Sequence, residues 1–191
     1  MLDKDLSMEK RNTIYTMISE IRKSDFAHVN ISGLGVEDLG VLVSYLKASH
    51  DYYLNDCLPK LHEAVHVMLS SYDGTVSTAM NGFFDCYEKA MQDHFSYEER
   101  MLFPYAAAIV SGETVEDKPA SHEDSDSHEN LENSIRDFKT LLFSYLPSES
   151  CTDVTVTVIS LIFRLEEDLH KHVMIEDRLF LPLIKKLEEK A

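Results

Sequence analysis

His94 and Glu98 lie four residues apart, and so do His172 and Glu176. On an α-helix that spacing puts both side chains on one face, a turn apart, so each pair can reach one point. An imidazole nitrogen and a carboxylate aimed together make half a site for a borderline metal such as iron, manganese or zinc. The two pairs sit in copies of one phrase. Residues 94–104 read His-Phe-Ser-Tyr-Glu-Glu-Arg-Met-Leu-Phe-Pro, and residues 172–182 read His-Val-Met-Ile-Glu-Asp-Arg-Leu-Phe-Leu-Pro. The repeat extends upstream, because His50 lies 44 residues before His94 and His128 lies 44 residues before His172. A pattern His-x43-His-x3-Glu written twice reads as two helical hairpins, each bringing two histidines and one glutamate.

Alone, an inward histidine on an apolar stripe reads as a hydrogen-bonded core residue. Four inward imidazoles and two inward carboxylates are a different matter, since each costs several kcal/mol when buried uncompensated. A metal centre compensates all of them, because it needs neutral imidazoles and ionised carboxylates. Six ligands are too many for one tetrahedral zinc. They suit two iron or manganese ions bridged by both carboxylates, with about two imidazoles per ion. Nitrogen and oxygen ligation without thiolate, with room for an exogenous ligand, favours iron.

The elements that must carry these residues are helices. Gly and Pro number only 6 and 5 in 191 residues, and an apolar content of 44% is enough for one domain's core. Ile14, Met17, Ile18 and Ile21 predict a short amphipathic helix over 7–23, followed by a connection over Ser24–Gly35. A long helix then starts near Val36-Glu37-Asp38, whose acids suit a helix N-terminus. Its stripe is Val43, Leu46, His50, Tyr53, Cys57, Leu61 and Ala64, and Pro59 should bend it by freeing the Asn55 carbonyl.

After a turn at Ser71–Gly74, a second helix places Phe84, Tyr87, Met91, His94, Glu98 and Met101 on one stripe and ends over Pro104–Gly112. The acidic stretch Ser111–Ser127 is expected to be the least ordered. A third helix carries His128, Leu131, Ile135, Phe138 and Leu142. After a connection over Leu146–Asp153, with Asp153 as N-cap, the last carries Val158, Leu161, Leu165, Leu169, His172, Glu176 and Leu179. Its β-branched start, Val154–Ile159, stays helical in this reading because a lone strand has no partner. The expected architecture is therefore all-α: an N-terminal helix and connection over 1–35, then an up-down four-helix bundle over 36–191.

The same geometry sets other histidines aside. His62 and His66 stand about 120° and 160° round the helix from His50, so they form a separate, solvated His-x3-His pair. His122 lies about 180° from Leu131, and His170 about 200° from His172, so both face away from the predicted site. His28 falls in a connection and fits no pattern.

Thirty-four acids against 18 bases give a formal charge of −16, which repels nucleic acid and anionic membrane surfaces. Three cysteines without a CxxC suggest reduced, buried thiols and a cytoplasmic address. No apolar run approaches membrane length, and the N-terminus lacks the features of a signal peptide.

At these residues the chain resembles the hemerythrin-like (HHE cation-binding) family, and most closely its di-iron proteins for repair of iron centres. The match runs over about 36–187 through His50, His94 with Glu98, His128, and His172 with Glu176. Leu58-Pro59-x-Leu61, Met101-Leu-Phe-Pro104 and Phe180-Leu-Pro182 are similar as well. The resemblance implies a bundle around a non-haem centre of two iron ions, bridged by Glu98 and Glu176. Two departures stand out: the first 35 residues hold no Cys pair of the kind usual in the repair proteins, and position 132 is Glu where oxygen carriers have a second His. The resemblance implies a role in oxidative or nitrosative stress, through iron-centre repair or iron donation to an iron-sulfur partner, or through binding O2, NO or peroxide. The other class is a gas or redox sensor that signals to a partner or attached domain.

Overall fold

The structure, a computed structural model, describes the chain apart from residues 1, 25–28, 71–73, 114–118, 120, 146–152, 190 and 191, with backbone alone for 2–12 and 121–126. All regular structure among the described residues is helical. The chain is an all-α helical bundle. Helix α1 covers Leu2–Lys23, starting earlier than the stripe suggests, and buries Ile14, Ile18 and Ile21. Helix α2 covers Val36–Tyr52. At its start Asp38 accepts a 2.7 Å hydrogen bond from the Gly35 N–H, so the third helical residue closes the N-terminus as half of a capping box.

Three long rods share one construction. A π-helical turn over Tyr53–Cys57 joins α2 to α3 (Leu58–Leu69), and another over Glu98–Leu102 joins α4 (Gly74–Tyr97) to α5 (Phe103–Ser111). A third, over Glu176–Phe180, joins α7 (Asp153–Ile175) to α8 (Leu181–Glu188). The N–H groups of Leu58, Phe103 and Leu181 donate five residues back, to the carbonyls of Tyr53, Glu98 and Glu176. Each wide turn is followed at once by a proline: Pro59, Pro104 or Pro182. Proline has no N–H and its ring crowds the carbonyl four residues earlier, so a widened turn in front of it relieves both problems. The wide turn over Tyr53–Cys57 is thus how the helix accommodates Pro59. Helix α6 (Ser121–Tyr145) has neither proline nor π turn, and starts seven residues before His128, inside the acidic stretch expected to be loose.

A π turn holds one residue more than an α-helical turn and so changes the phase locally. Met101, placed on the buried stripe by an unbroken 3.6 period, is 44% exposed, and Leu102 and Phe103 are buried in its place, whereas Leu61 and Leu179 on the other two such rods are buried as the period predicts. Smaller phase errors occur at Val43, Ala64 and Leu161, which are partly buried beside the fully buried Leu42, Val65 and Ile162. The β-branched run at the start of α7 is helical, as expected.

Contacts between rods show the up-down order, since numbers rise on one as they fall on the other. Tyr53 meets Phe95 and His62 meets Phe84; Phe84 meets Phe138 and His94 meets His128. His170 meets Glu132, and Glu166 meets Lys139.

The chain forms two compact units. One comprises Met1–Ser49, Tyr97–Ser121 and Lys171–Ala191, with a core that includes Ile14, Leu39, Leu46, Phe103, Phe180 and Leu183. Within it Lys186 donates to the carbonyls of Ile31, Ser32 and Leu34 at 2.7, 2.8 and 2.7 Å, fastening the segment before α2. The other comprises His50–Ser96 and His122–His170, with an aromatic core of Phe84, Tyr87, Phe95 and Phe138. Cys57 is buried there, but Cys86 is exposed, against the expectation that the thiols are buried; both are free. Cys151 and His28 lie outside the described residues. No helix among the described residues is long and apolar enough to cross a membrane.

Candidate metal centre

All six residues singled out by spacing are buried. His50, His94 and His128 are 0%, 6% and 3% exposed, and Glu98, His172 and Glu176 are each 1% exposed. Their helices explain this, since each occupies the apolar stripe of its rod. His50 lies against Phe95, with ring centroids 4.0 Å apart and planes 12° apart. The rings of His94 and His128 meet edge to face at 4.8 Å. His172 Nε2 lies 3.2 Å from Glu176 Oε1, one helical turn on.

Two serines orient the rings. Ser49 Oγ lies 3.0 Å from His172 Nδ1, and Ser127 Oγ lies 3.0 Å from His94 Nδ1. Ser49 also donates its one hydroxyl proton to the Leu46 carbonyl at 2.7 Å. Its oxygen is then placed to accept from His172 Nδ1, the arrangement in which a neutral ring keeps its lone pair on Nε2. With the ring neutral, that lone pair faces the Glu176 carboxylate, and a cation between them reconciles the two. Outer hydrogen bonds of this kind are how metal-binding histidines are held in tautomer and orientation. The repeat contained this signal: Ser49-His50 and Ser127-His128 are the same dipeptide, and each serine serves the histidine of the other half.

The buried donors fall into two groups that could each hold a metal ion, His50, Glu98, His172 and Glu176 in one and His94, Glu98, His128 and Glu176 in the other. Glu98 and Glu176 belong to both groups. The donors are imidazole nitrogens and carboxylate oxygens in buried positions, a set that fits a borderline transition-metal ion and gives it neutralising charge. A family model for the hemerythrin HHE cation-binding domain matches residues 41–189.

The chain belongs to the hemerythrin HHE cation-binding family. Its helical bundle is of the hemerythrin type, and its buried His/Glu groups could hold metal. No curated protein and no solved structure gives a significant match.

Residues set aside by helix phase lie elsewhere in this hemerythrin-like chain. His170, half exposed, contacts Glu132 at 2.8 Å, so Glu132 is engaged on the outer face of α6 and α7. Glu99 and Asp177, one residue beyond Glu98 and Glu176, are exposed. His66 is exposed and His62 falls in a separate group with Asp85 and Glu88. The side chain of His122 is outside the described residues.

Proposed function

We propose that the two groups hold two iron ions, bridged by Glu98 and Glu176, and that the protein acts in oxidative or nitrosative stress, through iron-centre repair or iron donation or by binding O2, NO or peroxide. The observation that carries this reading is the overlap: two four-residue groups share two carboxylates and divide four histidines evenly. Iron bound there would supply one-electron redox chemistry and an open position for O2, NO or peroxide. The chain's own residues do the rest. Ser49 and Ser127 hold the His172 and His94 rings, and Phe95 stacks on His50. Burial of all six donors keeps bulk water from competing for the cations. A role as an oxygen carrier is disfavoured because Glu132, where carriers have a second His, pairs with His170.

Metal analysis and absorption spectra on protein purified with and without air test the centre, with close to two irons per chain expected. Restoration of an inactivated iron-sulfur enzyme by the loaded protein supports repair or donation; steady consumption of NO or peroxide supports turnover. Protein that carries a single ion per chain under iron-replete expression refutes the dinuclear reading.

A further inference from the structure

Helices α3 and α4 carry a second set of metal-capable side chains, outside the buried groups. His62 and His66 are four apart on α3, and Asp85 and Glu88 are three apart on α4, so each pair shares a helix face. His62, Asp85 and Glu88 each offer a ligand atom within 4.8 Å of the other two. His66 and Glu63 line the same groove as His62 and Glu88, a cavity of about 510 Å³. We propose that His62, His66, Asp85 and Glu88 form a solvent-accessible site for a borderline divalent cation, with Zn2+ the best fit.

The donor chemistry supports zinc over the hard cations. Two imidazole nitrogens and two carboxylate oxygens make a four-coordinate zinc set, whereas Mg2+ and Ca2+ take oxygen alone. Zinc bonds of about 2.0–2.2 Å put tetrahedral ligands about 3.3–3.6 Å apart, and the ligand atoms of His62, Asp85 and Glu88 already lie within 4.8 Å of one another. The His62 ring is already positioned. Its Nδ1 lies 3.0 Å from Glu88 Oε2, and its edge packs on Phe84 with centroids 5.5 Å apart. Phe84 is itself buried in the core, so it cannot yield to let the ring swing away.

A plain surface ion pair accounts for His62 with Glu88, and is worth about 0–1 kcal/mol. It does not account for Asp85 offering a third ligand atom beside that pair, nor for His66 lining the same groove as His62 and Glu88. The His62 and Glu88 side chains are 42% and 20% exposed, so a cation can exchange here without the helices opening. The formal charge of −16 raises the local concentration of cations at such a groove.

The test is titration of iron-loaded protein with Zn2+, following heat and counting both metals after gel filtration. One Zn2+ per chain should bind without loss of iron. His62→Ala and Glu88→Gln should each weaken it by about tenfold or more, since altering even outer-shell partners has that effect. His170→Ala removes a similar surface His–carboxylate pair and should change nothing. Asp85→Asn, at an exposed position, serves if His62→Ala disturbs the fold. Absence of extra Zn2+, binding equal in parent and the His62 or Asp85 variants, or uptake matched by iron release would each overturn the proposal.

Discussion

Ser49→Ala offers a sharp test of how the centre is held. The serine belongs to neither group of metal donors, yet its oxygen lies 3.0 Å from His172 Nδ1 while its proton goes to the Leu46 carbonyl. Removing the oxygen leaves the His172 ring without the acceptor that selects its tautomer. Partners of this sort typically contribute 10–100-fold in metal affinity, equivalent to about 1.4–2.7 kcal/mol. The metal-free protein should respond differently. Alanine is the better helix former, which offsets part of the roughly 1 kcal/mol net value of one hydrogen bond. Metal affinity should therefore fall by at least about tenfold while the melting point of the metal-free protein moves little. Ser44→Ala is the control, since Ser44 lies on the same helix, is exposed and bonds only the Gly40 carbonyl at 2.9 Å. Competition against a chelator of known strength reads the affinity, and thermal unfolding reads the fold. Equal affinity in the Ser49→Ala and Ser44→Ala proteins would refute the tautomer argument.

Four further outcomes are expected from the geometry. Glu176→Gln removes a charge shared by both groups and should lower retention of both ions, whereas Asp177→Asn, one exposed residue on, should leave metal content intact and stability within about 0.5 kcal/mol; equal losses in metal analysis would mean the donors are misassigned. Chelation should lower the melting point of the loaded protein, by about 1.4 kcal/mol of lost stabilisation for every tenfold by which free metal exceeds its dissociation constant; superimposable melting curves would count against a buried centre. Leu102→Ala should cost about 2–5 kcal/mol in denaturant unfolding, while Met101→Ala costs less than about 0.5 kcal/mol, and the reverse order would overturn the burial of Leu102 in place of Met101. Burial, the largest influence, pushes the Cys57 thiol up, with the Asp168 charge adding to it, so a maleimide should label Cys86 in native protein and reach Cys57 only on unfolding; native labelling of both would contradict that burial.

What the sequence determined by itself was local in origin. Helical residues four apart share a face whatever surrounds them, so His94 with Glu98 and His172 with Glu176 were legible from spacing, and the repeat added His50 and His128. The same rule excluded Glu99, Asp177 and His170, all of which lie on outer faces. The rule failed where the hydrogen-bond ladder changed step. Within the π turn at Glu98–Leu102, Met101 is exposed and Leu102 buried, whereas Leu179 at the same place in the third rod is buried as predicted, so the accompanying prolines were visible while the local phase was not. Tertiary packing alone decided which side chains meet from different rods. The repeated Ser-His dipeptide marks Ser49 and Ser127, but it does not say that Ser49 reaches His172, 123 residues later, and nothing near His62 says that it meets Glu88 rather than solvent. Such contacts depend on the register of one helix against another, which is set by how whole apolar faces interlock and not by the turn in which either residue sits.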